Sequence, residues 1–170
     1  MYTNRLLTFS DQFVISCGTI SIDVCRQKVL LIYYRDQNVL ILPKGRKNRG
    51  ENLESTAIRE TTEETGYSCH LMSHSAPVKA PVPENNAPEH DAGRLHTEPI
   101  AVQQWVYSDG VRKFIFWYLG AADSTESPST LAEDGEKFDA QWYSFEEAVQ
   151  RASFEEDRKL IEKAIHIVSS

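Results

Sequence analysis

The sequence predicts an α/β fold in which helices pack on the faces of a mixed central sheet. Three observations predict it. Short runs rich in Val, Ile, Phe, Tyr and Trp precede and follow one helical pattern near the middle of the chain, and such runs are typical of strands. Two further helical patterns come last. The length of 170 residues matches a single domain, 1–170, whose core is large enough to need no disulfide or structural metal.

Strands are predicted where apolar, aromatic and β-branched residues cluster, at 12–17, 19–25, 28–34, 38–42, 67–73, 100–108, 112–119 and 138–143. A helix is predicted over 52–65, and Gly66 follows it at the position of a C-cap glycine. Helices are also predicted over 145–152 and 155–168. The last helix carries an apolar stripe at helical spacing, formed by Leu160, Ile161, Ala164, Ile165 and Val168.

Two segments are predicted to be long insertions between strands. Residues 80–98 and 121–135 are rich in Pro, Asn, Ser and acidic residues and nearly lack large apolar side chains. Loops of this length are unusual in compact domains and often have a function. The length of 80–98 is compatible with a lid over a binding site.

Composition excludes several classes of protein. The net charge of −7 argues against an extended nucleic-acid surface, which needs a surplus of Lys and Arg. No apolar run approaches the ~20 residues of a membrane span, and the first residues do not resemble a secretory signal. The odd set of Cys17, Cys25 and Cys69 has no metal-ligand spacing, which predicts free thiols in a reducing compartment. We therefore expect a cytoplasmic protein, with the nucleus as the alternative.

A basic cluster directly precedes the helix at 52–65. Residues 44–49 read KGRKNR and contain Lys44, Arg46, Lys47 and Arg49. Cations and flexible glycine backbone can meet phosphate oxygens, and the N-terminus of the following helix also favours anions. These four side chains are the candidate substrate-binding residues.

Carboxylates continue the buried stripe of that helix. At about 100° per residue, Leu53, Ala57, Glu60 and Glu64 fall on one side, with Glu63 next to them. Partly buried carboxylates at this spacing repel each other, unless a divalent cation lies against them. Magnesium prefers carboxylate oxygens and keeps water and phosphate in its remaining positions. The alternative is a solvated acidic helix face, which most charge runs are.

The segment 45–67 resembles the Nudix box. That motif reads Gly, five residues, Glu, seven residues, Arg-Glu, an apolar residue, any residue, Glu-Glu, any residue, Gly and an apolar residue. Every fixed position is matched, by Gly45, Glu51, Arg59, Glu60, Glu63, Glu64 and Gly66. At average composition a chance match is roughly one in 10⁸ or rarer. The softer apolar positions hold Thr61 and Tyr67.

The resemblance implies an α/β/α sandwich with a catalytic loop-helix-loop, and it implies roles for individual residues. By similarity, Glu60, Glu63, Glu64 and the backbone carbonyl of Lys44 would bind the metal, with Mg²⁺ expected and Mn²⁺ as the alternative. A metal-activated water would attack phosphorus.

The general base is left open by the resemblance, because it varies within the family. Glu64 and Glu136 are the candidates. Glu51 and Arg59 would form a supporting ion pair, and Gly45 and Gly66 would be structural.

The substrate is expected to be a small phosphate-rich molecule. The residues LPKG at the start of the box and the stretch ESTAIRETTEETG are similar to the corresponding segments of hydrolases of dinucleoside polyphosphates and of diphosphoinositol polyphosphates. The positive charge of KGRKNR suits either of these two substrates. Arg46 departs from the second glycine of many diphosphoinositol hydrolases. Hydrolysis of nucleoside diphosphate derivatives such as ADP-ribose, NADH or oxidised dNTPs is the alternative. RNA decapping, or a catalytically silent nucleotide or RNA sensor, is less consistent with a short acidic chain that keeps the complete box. The sequence does not indicate an oligomeric state.

Side chains outside the box offer further candidates. Arg112 and Lys113 either extend the phosphate site or belong to a solvated turn, and the turn is the expectation. Five aromatic residues are candidates to stack on a base, although aromatic residues on strands usually belong to the core: Tyr33, Tyr34, Trp105, Phe114 and Trp117.

Overall fold

A computed structural model describes residues 5–81, 94–129 and 137–170. The strands in these ranges are β1 (Phe13–Asp23), β2 (Lys28–Tyr34), β3 (Val39–Ile41), β4 (Lys44–Arg46), β5 (His70–Leu71), β6 (Ala101–Val106), β7 (Arg112–Ala121) and β8 (Phe138–Ser144). The helices are α1 (Leu53–Thr65), α2 (Phe145–Arg151) and α3 (Glu155–Val168), with a 3₁₀ turn at Arg35–Gln37. The three helices begin and end within a residue or so of the predicted ranges.

The strands of the described residues form one mixed sheet, as predicted. Its central path is β3-β2-β1-β7-β5, while β4 pairs with β1, β6 with β7 and β8 with β2. β1 and β7 are parallel from the Phe13–Arg112 pair to the Ile22–Ala121 pair. The other pairings are antiparallel. β1 therefore lies at the centre and contacts three strands.

Helices cover both faces of the sheet. On one face, Cys17 of β1 and Tyr118 of β7 pack against Ala57 of α1. On the other face, alternate residues of the same strands, including Ile20 and Trp117, belong to a larger core with both α2 and α3. Successive side chains on a strand point to opposite faces, so the two central strands contribute to both cores. The α/β/α sandwich is confirmed.

The strand expected over 67–73 is confined to His70–Leu71, and two further expectations for the strands were wrong. Residues 12–17 and 19–25 do not form separate strands but the single strand β1, which runs through Gly18. A Cβ atom at Gly18 would lie 2.3 Å from the carbonyl oxygen of Pro43, so this glycine permits close strand packing and does not mark a break. The segment 44–46, expected to be loop, forms β4 because its backbone pairs with β1 at positions 16–18.

The two predicted insertions lie partly outside the described residues, at 82–93 and 130–136. Glu136, one of the two candidate bases, falls in the second gap. An isolated bridge between His74 and His96 joins the chain on the two sides of the first gap. Cys17, Cys25 and Cys69 are free thiols. None of the helices in the described ranges is long and apolar enough to cross a membrane.

Candidate active site

Helix α1 carries the three candidate metal-binding carboxylates in its last two turns. Asn52 caps its N-terminus, because the side-chain oxygen accepts the Ser55 N–H at 2.7 Å. Gly66 ends the helix with a left-handed φ of 75°, and its N–H donates to the Thr62 carbonyl. Both ends of α1 are therefore fixed, and this positions the carboxylates in its last two turns.

Strand β4 lies directly against two of these carboxylates. The buried Glu64 accepts the backbone N–H of Lys44 at 2.7 Å. A Cβ atom on Gly45 would lie 1.7 Å from Glu60 Oε2, so only glycine leaves room for that carboxylate. The backbone of β4 and the carboxylates of Glu60 and Glu64 thus form one contiguous group of oxygen and amide atoms.

Arg59 supplies the positive charge in this group. Its guanidinium donates to Glu60 and Glu63 at 2.7 and 2.8 Å, to Glu51 at 2.8 Å, and to the Arg46 carbonyl at 3.0 Å. The expected Glu51–Arg59 ion pair is present, and it is the main cause that holds the pKa of Glu51 at about 2. The Arg59 side chain therefore connects the loop before α1, strand β4 and α1 itself.

The pKa of the Glu60 carboxyl is raised by burial, which hydrogen bonding and the charge of Arg59 partly offset. A buried carboxylate of this kind gains from a further cation. The described residues contain no group of three His, Cys, Asp or Glu side chains already arranged as a metal cage. In this structure the guanidinium of Arg59 occupies the position of a counterion for Glu60 and Glu63. The all-oxygen set of Glu60, Glu63 and Glu64 fits Mg²⁺ if those carboxylates turn from Arg59 to the ion.

Three cations lie on the sheet face opposite α1. Lys44, Arg46 and Lys113 pair with positions 18, 16 and 14 of β1, and alternate positions of a strand share a face. The Nζ atoms of Lys44 and Lys113 lie 5.4 and 4.9 Å from the ring centroid of Trp105, within cation–π distance. The carboxylates of α1 contact the same strand, β4, from the other face. Acidic and basic groups therefore lie on opposite sides of one short strand.

Lys113 corrects the expectation of a solvated turn. It lies within β7 and is 8% exposed. Burial, followed by the charges of Lys44 and Arg46, lowers its pKa to about 8. The sequence held a signal for this position, because Lys113 has the same strand parity as the buried Ile115.

The other two cations of the KGRKNR cluster lie apart from these three. Lys47 Nζ donates to the Asn48 carbonyl at 3.0 Å, and the strand alternation points its side chain away from Lys44 and Arg46. Arg49 lies in the exposed turn before α1. The structure therefore brings Lys44 and Arg46 together with Lys113, and not with Lys47 or Arg49.

A cavity of about 560 Å³ opens beside Lys44 and Trp105. Of the five aromatic candidates, Tyr34 and Trp105 line it, whereas Trp117 is fully buried. Phe114 packs edge-on against Phe13 instead. The remaining lining comes from segments that the sequence analysis did not connect with a site: Gln37, Val39, Ile41, Gln103, Gln104, Phe138, Phe154, Glu156 and Asp157.

Comparison with known proteins decides the family. A model of the NUDIX domain matches residues 16–164, which is most of the chain. The chain belongs to the Nudix family. The resemblance seen in the box is therefore confirmed.

A putative 8-oxo-dGTP diphosphatase of Bacillus subtilis (strain 168) is 43% identical to this Nudix protein over 47 residues. That match spans 28% of this chain and 32% of the relative, so the chain matches about a third of the relative's length. The similarity is thus local.

Solved structures share the fold over nearly the whole chain. A Nudix hydrolase of Clostridium perfringens gives a TM-score of 0.63 at 23% identity and covers 93% of this chain and 98% of that one. An Ap4A hydrolase of C. elegans, in a binary complex, gives 0.59 at 18% identity and covers 90% and 96%. At these identities the likeness establishes the fold alone.

Proposed function

We propose that this protein is a metal-dependent hydrolase that cleaves a diphosphate linkage in a small phosphate-rich molecule. The observation that carries the proposal is the position of β4, with carboxylates of α1 against its backbone and the side chains of Lys44 and Arg46 on the opposite face. Carboxylates for a divalent cation and cations for phosphate are the two requirements of such a reaction. The intact Nudix box supports the same conclusion.

Each part of the site has a defined task in this proposal. A metal held by Glu60, Glu63, Glu64 and the Lys44 carbonyl would lower the pKa of a bound water and neutralise charge on the leaving phosphate. Arg59 orients Glu60 and Glu63. Glu64, fixed by the Lys44 N–H, and Glu136 remain the candidate bases for the attacking water.

The phosphate groups of the substrate are assigned to Lys44, Arg46 and Lys113. Lys113 replaces Lys47 and Arg49 in the leading set, because it shares the sheet face and the Trp105 contact with Lys44. Three cations beside an acidic metal site suit more charge than one phosphate carries. A dinucleoside polyphosphate or a diphosphoinositol polyphosphate is therefore the substrate class that we favour.

A nucleoside diphosphate derivative or an oxidised dNTP is the second candidate. It is supported by the local match to the putative 8-oxo-dGTP diphosphatase. Both candidates require the same carboxylates, so they differ only in what the rest of the site accepts. The third outcome is a protein that binds these ligands without turnover.

Phosphorus-31 NMR of reactions in ¹⁸O-labelled water with Mg²⁺ tests the proposal. The substrates are diadenosine polyphosphates, a diphosphoinositol polyphosphate, ADP-ribose, NADH, capped RNA and 8-oxo-dGTP. We expect cleavage of one P–O–P linkage with ¹⁸O on a phosphate product, absent in the Glu64→Gln variant. Binding without product from any substrate would overturn the hydrolase, and cleavage confined to the nucleoside diphosphate derivatives would overturn the polyphosphate assignment.

A further inference from the structure

Three cations cluster on one face of the sheet without a neutralising carboxylate. Lys44, Arg46 and Lys113 share this face, and none of them forms an ion pair with a carboxylate of the residues that the structure describes. The charges of Lys44 and Arg46 repel the Lys113 ammonium. Glu60 and Glu64 attract it, but from the other face of the sheet. Such a cluster needs a further source of stabilisation, because like charges at close range oppose each other.

The indole ring of Trp105 lies against two of these cations. Trp105 of β6 stands directly opposite Lys113 of β7 in the antiparallel pair. The ring centroid is 4.9 Å from Lys113 Nζ and 5.4 Å from Lys44 Nζ. The face of an indole attracts cations more strongly than the other aromatic rings do. The ring therefore offsets part of the repulsion between the two ammonium groups.

Lys44 reaches this ring across two intervening strands. β1 and β7 lie between β4, which carries Lys44, and β6, which carries Trp105. The residue opposite Lys44 on β1 is Gly18, where a Cβ atom would lie 2.7 Å from Lys44 Cβ. The glycine therefore leaves room for the Lys44 side chain, and Gly18 is a second requirement of the arrangement.

An aromatic ring and a carboxylate have different effects on the charge of a lysine. A carboxylate on this face would fix the two lysines, but it would also cancel their charge and compete with a phosphate. An aromatic ring attracts cations through its quadrupole and carries no net charge. The indole also restricts two long side chains, whose rotamer freedom would otherwise be lost on binding. This face is thus organised for a ligand with several negative charges.

We propose that Trp105 is a positioning residue, which holds the ammonium groups of Lys44 and Lys113 in place for the phosphates of the substrate without neutralising them. The assignment rests on the proposed function and deepens it, because it names the group that organises the phosphate site. The ring is 37% exposed and acts through the two lysines. This role requires no contact between the ring and the phosphates.

Binding of inorganic tripolyphosphate in the absence of metal tests this role. The probe has phosphates and no base, so stacking of the indole on another part of a substrate cannot affect its affinity. In calorimetry, Trp105→Leu should bind it about three- to tenfold more weakly than wild type, the scale of cation–π contacts. Trp105→Phe, which restores an aromatic face, should lose about twofold or less. The matched control is Tyr107→Leu, because Tyr107 is also 37% exposed and directly follows β6; it should bind as wild type does.

Two further measurements separate positioning from a purely structural role. With Mg²⁺ and the substrate that the wild type cleaves, Trp105→Leu should raise KM by a similar factor and keep kcat within about twofold, because the lysines hold the phosphates in ground and transition states alike. In NMR spectra of the wild type without ligand, the ring current of the indole should shift the ε-methylene protons of Lys44 and Lys113 upfield. Both shifts should disappear in Trp105→Leu, which thermal unfolding should show to be folded.

Three results would overturn the proposal. They are tripolyphosphate affinity that is the same in Trp105→Leu and wild type, a loss in Trp105→Phe as large as in Trp105→Leu, or wild-type lysine signals without an upfield shift. The last result needs no variant, so it decides even if Trp105→Leu does not fold.

Lys113→Met distinguishes this failure from failure of the proposed function. If Lys113→Met weakens tripolyphosphate binding and folded Trp105→Leu does not, the role of Trp105 alone is refuted. If neither variant weakens it, the phosphate assignment of the proposed function is refuted as well. Absence of hydrolysis, with tripolyphosphate binding that depends on Trp105, would refute the hydrolase and leave Trp105 as the positioning residue of a phosphate site.

Discussion

Gly45 shows how much of the site depends on one missing side chain. The box motif requires glycine here, and the structure supplies the reason, since a Cβ atom would occupy the position of the Glu60 carboxylate. The sequence could therefore predict that Gly45 matters, but not which side chain it accommodates. That contact depends on β4 pairing with β1, which the sequence pattern did not indicate.

The Gly45→Ala variant should keep the fold and lose metal affinity. The added methyl would displace the carboxylate at the end of the Glu60 side chain and not the backbone, so we expect the free energy of unfolding to change by less than about 1 kcal/mol. Mn²⁺ affinity, measured by calorimetry, should fall about 10–100-fold. Glu60→Gln should give a similar loss. Unchanged Mn²⁺ affinity in folded Gly45→Ala would show that Glu60 does not bind the metal.

Asp157 gives a pH-dependent contribution to stability. Burial raises its pKa from 3.8 to about 6 in the folded chain, so the folded state holds this proton where the unfolded state has lost it. Relative to Asp157→Asn, the wild type should therefore lose free energy of unfolding as the pH rises from about 4 to 6, by about 3 kcal/mol at most. Urea denaturation at pH 4 and pH 7 measures the difference. A wild type that instead gained stability over this range relative to the variant would contradict the burial of the carboxyl.

At the scale of single elements, α1 and the last two helices were predicted well because their signals are local. Helical periodicity and the glycine at position 66 are readable within a few residues of the chain. β4 was missed because three residues carry little pattern and the pairing partner is distant in sequence. Thr61, which departs from the usual apolar residue of the box, is fully buried and shares a 2.8 Å hydrogen bond with Thr19 of β1. A polar contact between α1 and the sheet thus replaces an apolar one.

Arg59 connects α1 to the elements before it, so Arg59→Lys should destabilise the chain. A lysine cannot reach Glu51, Glu60, Glu63 and the Arg46 carbonyl at once, because it has one ammonium in place of a planar fork. The side chain is 25% exposed, so solvent screens part of the loss, and we expect a decrease of about 1–2 kcal/mol in the free energy of unfolding.

Arg49→Lys, on the exposed turn before α1, is the control for Arg59→Lys in urea denaturation. It should leave stability within about 0.5 kcal/mol of wild type. Equal midpoints for the two variants would mean that the Arg59 contacts contribute nothing to the fold.

At the scale of the whole molecule, the parallel pair of β1 and β7 forms the centre of both cores. Fully buried residues of β1 and β7, such as Cys17, Ile20 and Ile115, face α1 on one side and α3 on the other. By contrast, β6 pairs with β7 and leaves Val102 and Val106 61% exposed. The sheet is thus expected to open from this strand inwards.

Amide hydrogen exchange should show that order. The hydrogen-bonded amides of β1 and β7 should exchange only through global unfolding, whereas those of β6 should exchange faster through local opening. Mass spectrometry of peptides from the three strands measures the rates. Exchange in β6 as slow as in β1 would mean that β6 belongs to the same cooperative unit.

The chain-level organisation was largely predictable, and the site only in part. The strand and helix patterns predicted the mixed α/β sandwich, and the box motif predicted the carboxylates of the site. The cavity was not predictable, because Tyr34, Phe138, Phe154 and Asp157 come from segments far apart in sequence, and only the folded chain brings the sheet and the start of α3 together. Lys113 was misjudged for a different reason, since a lysine next to a turn is usually solvated and only its strand parity shows that it points inward.

The measurement that tests the central claim most directly is the kcat of Glu64→Gln with Mg²⁺, on the substrate that the wild type cleaves fastest. The control is Glu54→Gln, an exposed glutamate of the same helix. Glutamine can still accept the Lys44 N–H but carries no charge for the metal, so we expect a folded variant whose kcat is lower by about a thousandfold or more, with Glu54→Gln close to wild type. Turnover of folded Glu64→Gln close to that of Glu54→Gln would contradict the assignment of the metal site to the end of α1.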